Sequence, residues 1–404
     1  MKKLLVLGAT PFQIPLVEKA HERGHYVITM DNVPDNPAHR HADASANVST
    51  VDAEAVLAYA REHAVDGIIT GGSDVGVPAV GLVCDHLGLS GVTHEQGLTA
   101  THKDLFRAFQ RHHGLRHPEF RAFDARDDFL DTAAGLEGAY IIKPIDRSGS
   151  KGVTTIDFDA HPSVEFLASV FDHAYTQSIT KRVILERFLD GVERGGDAFL
   201  RNGAFVCCCV TNKYLTPAPY FVPVGHTIPS KLDAGTRGAI QNALEETLNL
   251  LGIRNGPVNF DVMVGDAGTV TVLELSPRFG GNCIPQIIDH GAGFDEIGAA
   301  IDLTVDGVAP DRQARPHEDI VPTGSRILGS SRSGVLDSIA PLEAMRERYG
   351  SNLLELVYDI EPGEEVHQFT QGNYRIGHII ATRPSLEELE ALLDDIERSI
   401  GATA

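Results

Sequence analysis

The chain reads as an α/β protein whose middle part turns α+β, and three features of the sequence predict that class. From Lys3 to about Gly91, short apolar strands alternate with amphipathic helices, the βαβαβ pattern of a parallel sheet. From Val258 to Gly281, two apolar runs, VNFDVMV and TVTVLEL, are joined by a Gly-Asp-Ala-Gly turn, which predicts an antiparallel hairpin. The last stretch, GNYRIGHIIATRPSLEELEALLDDIERSI, reads as a strand followed by an amphipathic helix. At 404 residues the chain is long enough for two or three domains with real cores.

The first element is the strand in MKKLLVLGATPF. Two lysines precede its apolar run, yet Leu4 to Leu7 is followed at once by Gly8 and then Pro11, too short a core for an export signal. No apolar segment approaches the length needed to span a bilayer, so a cytoplasmic protein is expected. A helix through Val17 to Arg23, the strand HYVITMD, a helix from Asp52 to His63 and the strand GIITGG follow. Gly8, Asp31 and the Gly71-Gly72 pair fall at strand ends, where open α/β sheets bind ligands. GATPFQ lacks the GxGxxG fingerprint and GGSDVG lacks the ending of a P-loop, so Gly8 is read as a supporting turn. Ser73 and Asp74 are the more exposed candidates for touching a substrate.

In the middle part, THKDLFRAFQRHHGLRHPEF is a helix that stops at Gly114, with Lys103 near its start. Its histidines at 102, 112, 113 and 117 show no i, i+4 pair with acidic support and fit a solvated helix end rather than a zinc site. AYIIKPIDRSGSKGVTTI places Lys143 in a strand before a glycine-rich turn. Ser148, Gly149, Ser150 and Gly152 there either wrap backbone N–H groups around an anion, with Lys143 over the phosphates, or merely make a hairpin loop. RVILERFLDG runs a strand into Glu186, and Glu193 stands seven residues beyond. Five cysteines, three of them consecutive in AFVCCCV, fit neither a disulfide framework nor a CxxC metal spacing; they read as buried strand thiols in a reducing compartment. NKYLTPAPYFVPVGHTIPS, rich in prolines and aromatics, is expected to be a loop long enough for a specificity lid, with Tyr214 and His226 bordering a substrate pocket.

The hairpin brings Asp261 and Glu274 together. Two carboxylates suit a hard divalent cation, and Arg278 four residues on suits a phosphate; the alternative is an ordinary hairpin with two acids on its solvated face. Beyond it, PTGSRILGSSRSGVLDSI offers Arg326 and Arg332 either for a substrate carboxylate or for surface salt bridges. The balance of 34 basic against 56 acidic residues, a net charge of −22, argues against a nucleic-acid or acidic-membrane partner. A small anionic ligand therefore needs a local basic pocket.

Lysine in a helix, strand lysine before a glycine-rich loop, strand ending in glutamate, then an acid-bearing hairpin ending ELSPR: this succession resembles the ATP-grasp superfamily over nearly the whole chain. The resemblance implies an ATP-grasp fold with a Rossmann-like amino-terminal domain over 1–95, an ATP-grasp domain over 96–308 whose glycine-rich-loop subdomain spans roughly 115–185, and a carboxy-terminal domain over 309–404. It implies ATP as cofactor, with Lys103 and Lys143 on its phosphates and the loop from Arg147 to Gly152 closing over them. Glu186 and Phe188 would form the linker that receives adenine, and Glu193 would bind ribose. Asp261 and Glu274 would hold Mg2+, one ion or two with Mn2+ as an alternative, and Arg278 would steady the transferred phosphoryl group. The usual E-x-N becomes Glu274, Leu275, Ser276, which puts the second metal in doubt; the formate-using glycinamide ribonucleotide transformylase is similar in having serine there.

The carboxy-terminal part resembles that of ATP-grasp amino-acid ligases and their purine-pathway relatives. The implied activity is an ATP- and magnesium-dependent carboxylate–amine ligase that passes through an acyl phosphate. The alternatives are a purine-pathway enzyme activating formate or bicarbonate, and a non-catalytic nucleotide-binding protein. Small-molecule carboxylate and amine substrates follow, and a homodimer is a family-level expectation. No GxSxG or cysteine-centred signature competes with this reading.

Overall fold

The computed structural model describes residues 1–217, 220 and 222–401, and no helix among them is long and apolar enough to cross a membrane. Strands β1 (Lys3–Leu7), β2 (Tyr26–Met30), β3 (Ala44–Ala46) and β4 (Gly67–Thr70) form a parallel sheet in the order β3-β2-β1-β4. Helices α1 (Ile14–Glu22), α2 (Ala53–Glu62) and α3 (Val77–Leu87) cover it. Leu4 and Val6 of β1 pack with α1, while Leu5 and Leu7 pack with α2 and α3; burial on both faces is why this strand is apolar without alternation. Asp52 caps α2, accepting the Ala55 N–H at 3.1 Å. Strand β3 went unexpected because its three residues, Ala-Ser-Ala, carry no apolar signal.

Helices α4 (His94–Thr101) and α5 (Lys103–His112) lead into a small antiparallel sheet. Its strands β5 (Phe120–Phe123), β6 (Ala139–Pro144), β7 (Thr154–Asp157) and β8 (Val183–Arg187) lie in the order β5-β8-β6-β7. Helices α6 (Arg126–Ala133) and α7 (Val164–Gln177) bury its outer face through Phe129 and Phe171. The glycine-rich loop joins β6 to β7. At Gly152 the backbone takes φ +72°, and a Cβ there would stand 3.0 Å from Pro144 and 3.1 Å from Gln177, so only glycine closes this turn.

An eight-stranded antiparallel sheet forms the rest of the scaffold. It runs β13-β12-β9-β10-β11-β14-β18-β16, from β9 (Val192–Arg201), β10 (Ala204–Leu215), β11 (Pro223–Ile228), β12 (Gly256–Val264) and β13 (Val270–Ser276) to β14 (Thr323–Gly329), β16 (Leu353–Tyr358) and β18 (Arg375–Thr382). The two-residue strands β15 (Gly334–Val335) and β17 (Glu365–Val366) pair apart from it. Helix α8 (Ala234–Leu251) packs on one face with Ala198, Val210 and Phe260; α9 (Ile284–Ala292) and α10 (Glu296–Asp306) pack on the other with Phe199, Cys207 and Cys209. Helices α11 (Leu342–Tyr349) and α12 (Leu386–Ile400) close the carboxy-terminal core. The three cysteines thus alternate between two cores, and all five in the chain are free thiols.

Neither the sheet nor the core respects residue 308. Strand β14 pairs with β11, and one cluster joins Leu4 and Leu16 to Ile284, Ile327 and Ile380. The stretch expected to be a lid loop is largely strand: Tyr214 lies on β10 and His226 on β11, with Lys213 in register with His226. Proline and aromatic content suggested a loop, but Pro223 opens β11 where its missing N–H is tolerated. The lid expectation is thereby confined to residues 216–222, of which Ala218, Pro219 and Phe221 lie outside the described residues.

Candidate active site

The hairpin forms in the expected register. Asp261 of β12 stands directly opposite Glu274 of β13, and Asn259 opposite Ser276, so the four side chains share one face. That face walls a cavity of about 570 Å³ between the two antiparallel sheets, a size suited to a nucleotide-sized ligand. The small sheet contributes Lys143, Thr155 and Glu186, and the large one Glu193, Lys213, Asp261, Met263 and Glu274. Lys103 enters from α5, and Arg147 to Lys151 form the mouth.

Each basic group around the two metal-type acids is neutralised within the protein. Lys103 donates to the Arg147 carbonyl at 2.7 Å and pairs with Glu274 at 3.1 Å. Lys143 pairs with Glu186 at 2.8 Å, and Arg107 holds the other oxygen of Glu186 at 2.8 Å. Lys213 donates to Asp261 at 2.8 Å and also to Glu193. Arg278 donates through Nε to Asp74 at 2.9 Å and through a terminal nitrogen to the same oxygen. A phosphate that binds Lys103, Lys143, Lys213 or Arg278 must exchange places with their carboxylates, whereas Arg147 and Lys151 at the mouth carry no carboxylate partner among the described residues.

Ionisation follows the same geometry. Burial opposes the charge of Glu274, but Lys103 and Lys143 hold it down to about 2; its side chain keeps 40% exposure to the cavity, where water moderates the burial. Burial lifts Asp261 to about 7 against the pull of Lys213, with Glu193 and Glu274 adding repulsion. Glu186 is only 2% exposed, and although burial works against it, Arg107 and Lys143 keep it below the usual carboxylate range. Lys213 is raised: desolvation acts the other way, and its two carboxylates prevail.

The donor set fits magnesium. Two carboxylates and a hydroxyl converge as hard oxygen ligands, and the Ser276 Oγ is buried with no hydrogen-bond partner, so it has a free lone pair on the face of Glu274. No group of three acidic, histidine or cysteine ligands that could hold a metal ion by itself occurs among the described residues.

Several expected residues fall elsewhere or act otherwise. Ser148, Gly149, Ser150 and Phe188 line the cavity, while Gly152 supports the turn behind them. Glu186 also lines the cavity, with its carboxylate held between Arg107 and Lys143. Glu193 reaches the cavity with its carboxylate committed to Lys213. Asp74 joins the site through Arg278, in a small adjoining cavity with Lys103, Glu274 and Ser276, whereas Ser73 lines neither space.

The remaining substrate candidates, Tyr214, His226, Arg326 and Arg332, are placed away from the cavity lining. Tyr214 bonds Glu390 and Thr227, and Arg326 pairs with Asp394 at 2.6 Å and Glu397 at 3.4 Å while stacking on the Tyr214 ring; both therefore dock α12. His226 is 3% exposed, its Nδ1 is 2.8 Å from the Thr211 hydroxyl, and burial drops it to about 3, so it is neutral. Arg332 is exposed and lines no part of the cavity. Sequence reasoning missed Lys213, whose only signal was a lysine ending the apolar run CCCVTNK, and Arg107, one helical turn from Lys103.

The fold is the mixed α/β ATP-grasp fold, with a parallel four-stranded sheet at the amino terminus and antiparallel sheets after it. Residues 136–286 match the ATP-grasp domain. Residues 326–402 match L-amino acid ligase C-terminal domain 2, so the chain joins an ATP-grasp domain to that second module. It is 25% identical over 366 residues to the uncharacterized protein y4rH of Sinorhizobium fredii, covering 88% of this chain and 72% of that protein. The L-amino acid ligase from Bacillus licheniformis superposes with a TM-score of 0.79 at 19% identity, over 99% of this chain and 98% of that one. Phosphoribosylglycinamide synthetase from Anaerococcus prevotii gives 0.77 at 21% identity, over 100% and 99%. At these identities the two structures share the fold.

Proposed function

We propose that the protein is an ATP- and magnesium-dependent ligase that activates a carboxylate as an acyl phosphate and couples it to an amine, with an amino acid or similar small molecule as substrate. The observation that carries this is the meeting of Lys103, Lys143, Lys213, Asp261 and Glu274 on one cavity, with Arg278 beside it. Lys103 and Lys143 bind the phosphates once Glu274 and Glu186 release them, and Arg278 turns from Asp74 to the transferred phosphoryl oxygens. Asp261, Glu274 and Ser276 would hold magnesium, which would offset the charge that builds on the phosphate during transfer. A substrate carboxylate oxygen attacks the γ-phosphorus as ADP leaves. The amine then forms the C–N bond as the C–O bond to phosphate breaks. Ser148 to Lys151 at the mouth exclude water, which would hydrolyse the acyl phosphate.

Ser276 and the likeness to phosphoribosylglycinamide synthetase favour a second reading, a purine-pathway enzyme that activates formate or bicarbonate. A ribonucleotide would need an additional basic pocket. Arg326 and the buried Arg375 of the carboxy-terminal part are already paired with Asp394 and Asp359, which weighs toward the first reading. The test is phosphate release with MgATP across pooled carboxylates and amines, followed by mass analysis of products. Turnover with an amino-acid pool supports the ligase; no turnover and no nucleotide binding under any pool contradicts it.

A further inference from the structure

Behind the metal-type face lies a pair of acids that the chemistry above does not use. Asp197 of β9 and Glu296, the first residue of α10, are 0% and 1% exposed. The Asp197 carboxylate accepts the Gly280 N–H at 2.7 Å and the Asn259 side-chain amide at 2.8 Å. The Asn259 backbone N–H in turn donates to the Arg278 carbonyl at 2.8 Å. Asp197 therefore ties down both sides of the turn that carries Arg278. The fit is close: a Cβ on Gly280 would stand 2.7 and 2.9 Å from the two Asp197 oxygens.

Glu296 has no such donors. Among the described residues neither of its buried oxygens has a hydrogen-bond donor, and the acid whose charge bears on it is Asp197. Two acids buried beside one another, one of them without a donor, do not both ionise, so the pair keeps a proton. Asp197 already accepts two N–H bonds, which favours its ionised form, and the proton belongs on Glu296. The charged or titratable groups facing the pair are Arg278, Cys207 and Cys209, the thiols lying in the same buried cluster. Burial raises both acids, Asp197 to about 6 and Glu296 well above its ordinary value.

We propose that Glu296 is a positioning residue for phosphoryl transfer: as a neutral acid donating to Asp197, it holds that carboxylate on Gly280 and Asn259 and so fixes the turn that aims Arg278. The role rests on the ligase reading, and it predicts which substitution is tolerated. Gln keeps a neutral donor of the same shape; Leu keeps the bulk and removes the donor.

The experiment measures ADP formation and nucleotide affinity for wild type, Glu296→Gln and Glu296→Leu, together with the difference infrared spectrum of wild type minus Glu296→Gln at neutral pH. Glu296→Gln is expected to keep kcat within about threefold, and Glu296→Leu to lose roughly 10- to 100-fold in kcat with the KM for ATP nearly unchanged, the range for a lost hydrogen bond to a charged group. The difference spectrum is expected to show the carbonyl stretch of a protonated acid in wild type only. An equal loss in the Gln and Leu variants would overturn the proposal, as would absence of that carbonyl band. Should Glu296→Leu fail to fold, the Gln variant and the infrared band still decide. If wild type turns over with no substrate pool, the ligase reading fails while the band reports separately on the proton.

Discussion

Two arginine clusters in this molecule use the same side chains for opposite ends. Arg278 lies beside the metal-type carboxylates, paired with Asp74 of the amino-terminal part, in a small cavity that adjoins the nucleotide-sized one. Arg326 is equally well paired, yet its partners Asp394 and Glu397 sit on the exposed side of α12 and it lines neither of those two cavities. An ion pair at the first position is a reserve that a phosphate can displace; at the second it is a clasp. The lesson is that the surroundings of an arginine, rather than its pairing, decide whether it is available for chemistry.

The sharpest way to break this comparison is to remove groups on the Arg278 side. Arg278→Ala and Glu274→Ala should each lower ADP formation by roughly 10²- to 10³-fold, as loss of a transition-state charge partner does, with the melting temperature little changed. Glu274→Ala should also abolish Mn2+ binding in the presence of a non-hydrolysable nucleotide, followed by electron paramagnetic resonance; retained binding would remove Glu274 from the metal site. Next in size is Lys213→Met, which leaves Asp261 and Glu193 facing each other without their shared cation. Turnover should fall by roughly 10- to 100-fold and unfolding free energy by about 1–3 kcal/mol, read from urea melts.

On the clasp side the effects should be small. Arg326→Ala should leave turnover within about twofold and destabilise the chain by no more than about 1 kcal/mol, because its partners are largely solvent-exposed. A tenfold rise in KM for the carboxylate substrate would instead make Arg326 a substrate ligand and dissolve the contrast. The finest test is pH. Burial holds His226 at about 3, below its value of about 6.5 in the unfolded chain, so the unfolded state takes up a proton that the folded state refuses. Stability should therefore fall as pH drops from about 6.5 toward 3, and His226→Gln should remove about one proton from that slope in urea titrations.

These clusters also show what a sequence reveals. Asp261 and Glu274 were legible because a short turn fixes the register of two apolar strands, and Lys143 because its strand runs straight into a glycine-rich loop. The order of such local motifs identified the fold. Lys213 was not legible: its partners are 20 and 48 residues away, and pairing at that distance depends on sheet order. Arg326 stayed open between a substrate carboxylate and a salt bridge for the same reason, with its carboxylate 68 residues on, and nothing local announces that Arg107 and Lys143 hold the Glu186 carboxylate. Cores fail to respect the expected boundary at 308 because strand pairing there is non-local too.

The claim on which all this rests is that a substrate carboxylate attacks the γ-phosphorus of ATP in the cavity between the two sheets. Its most direct test is isotope transfer: a substrate carboxylate labelled with oxygen-18 is supplied with MgATP and an amine, and the released phosphate is weighed by mass spectrometry. One labelled oxygen in the phosphate, formed together with ADP and an amide product, is the expected result. Unlabelled phosphate, or formation of AMP and pyrophosphate, would contradict the account.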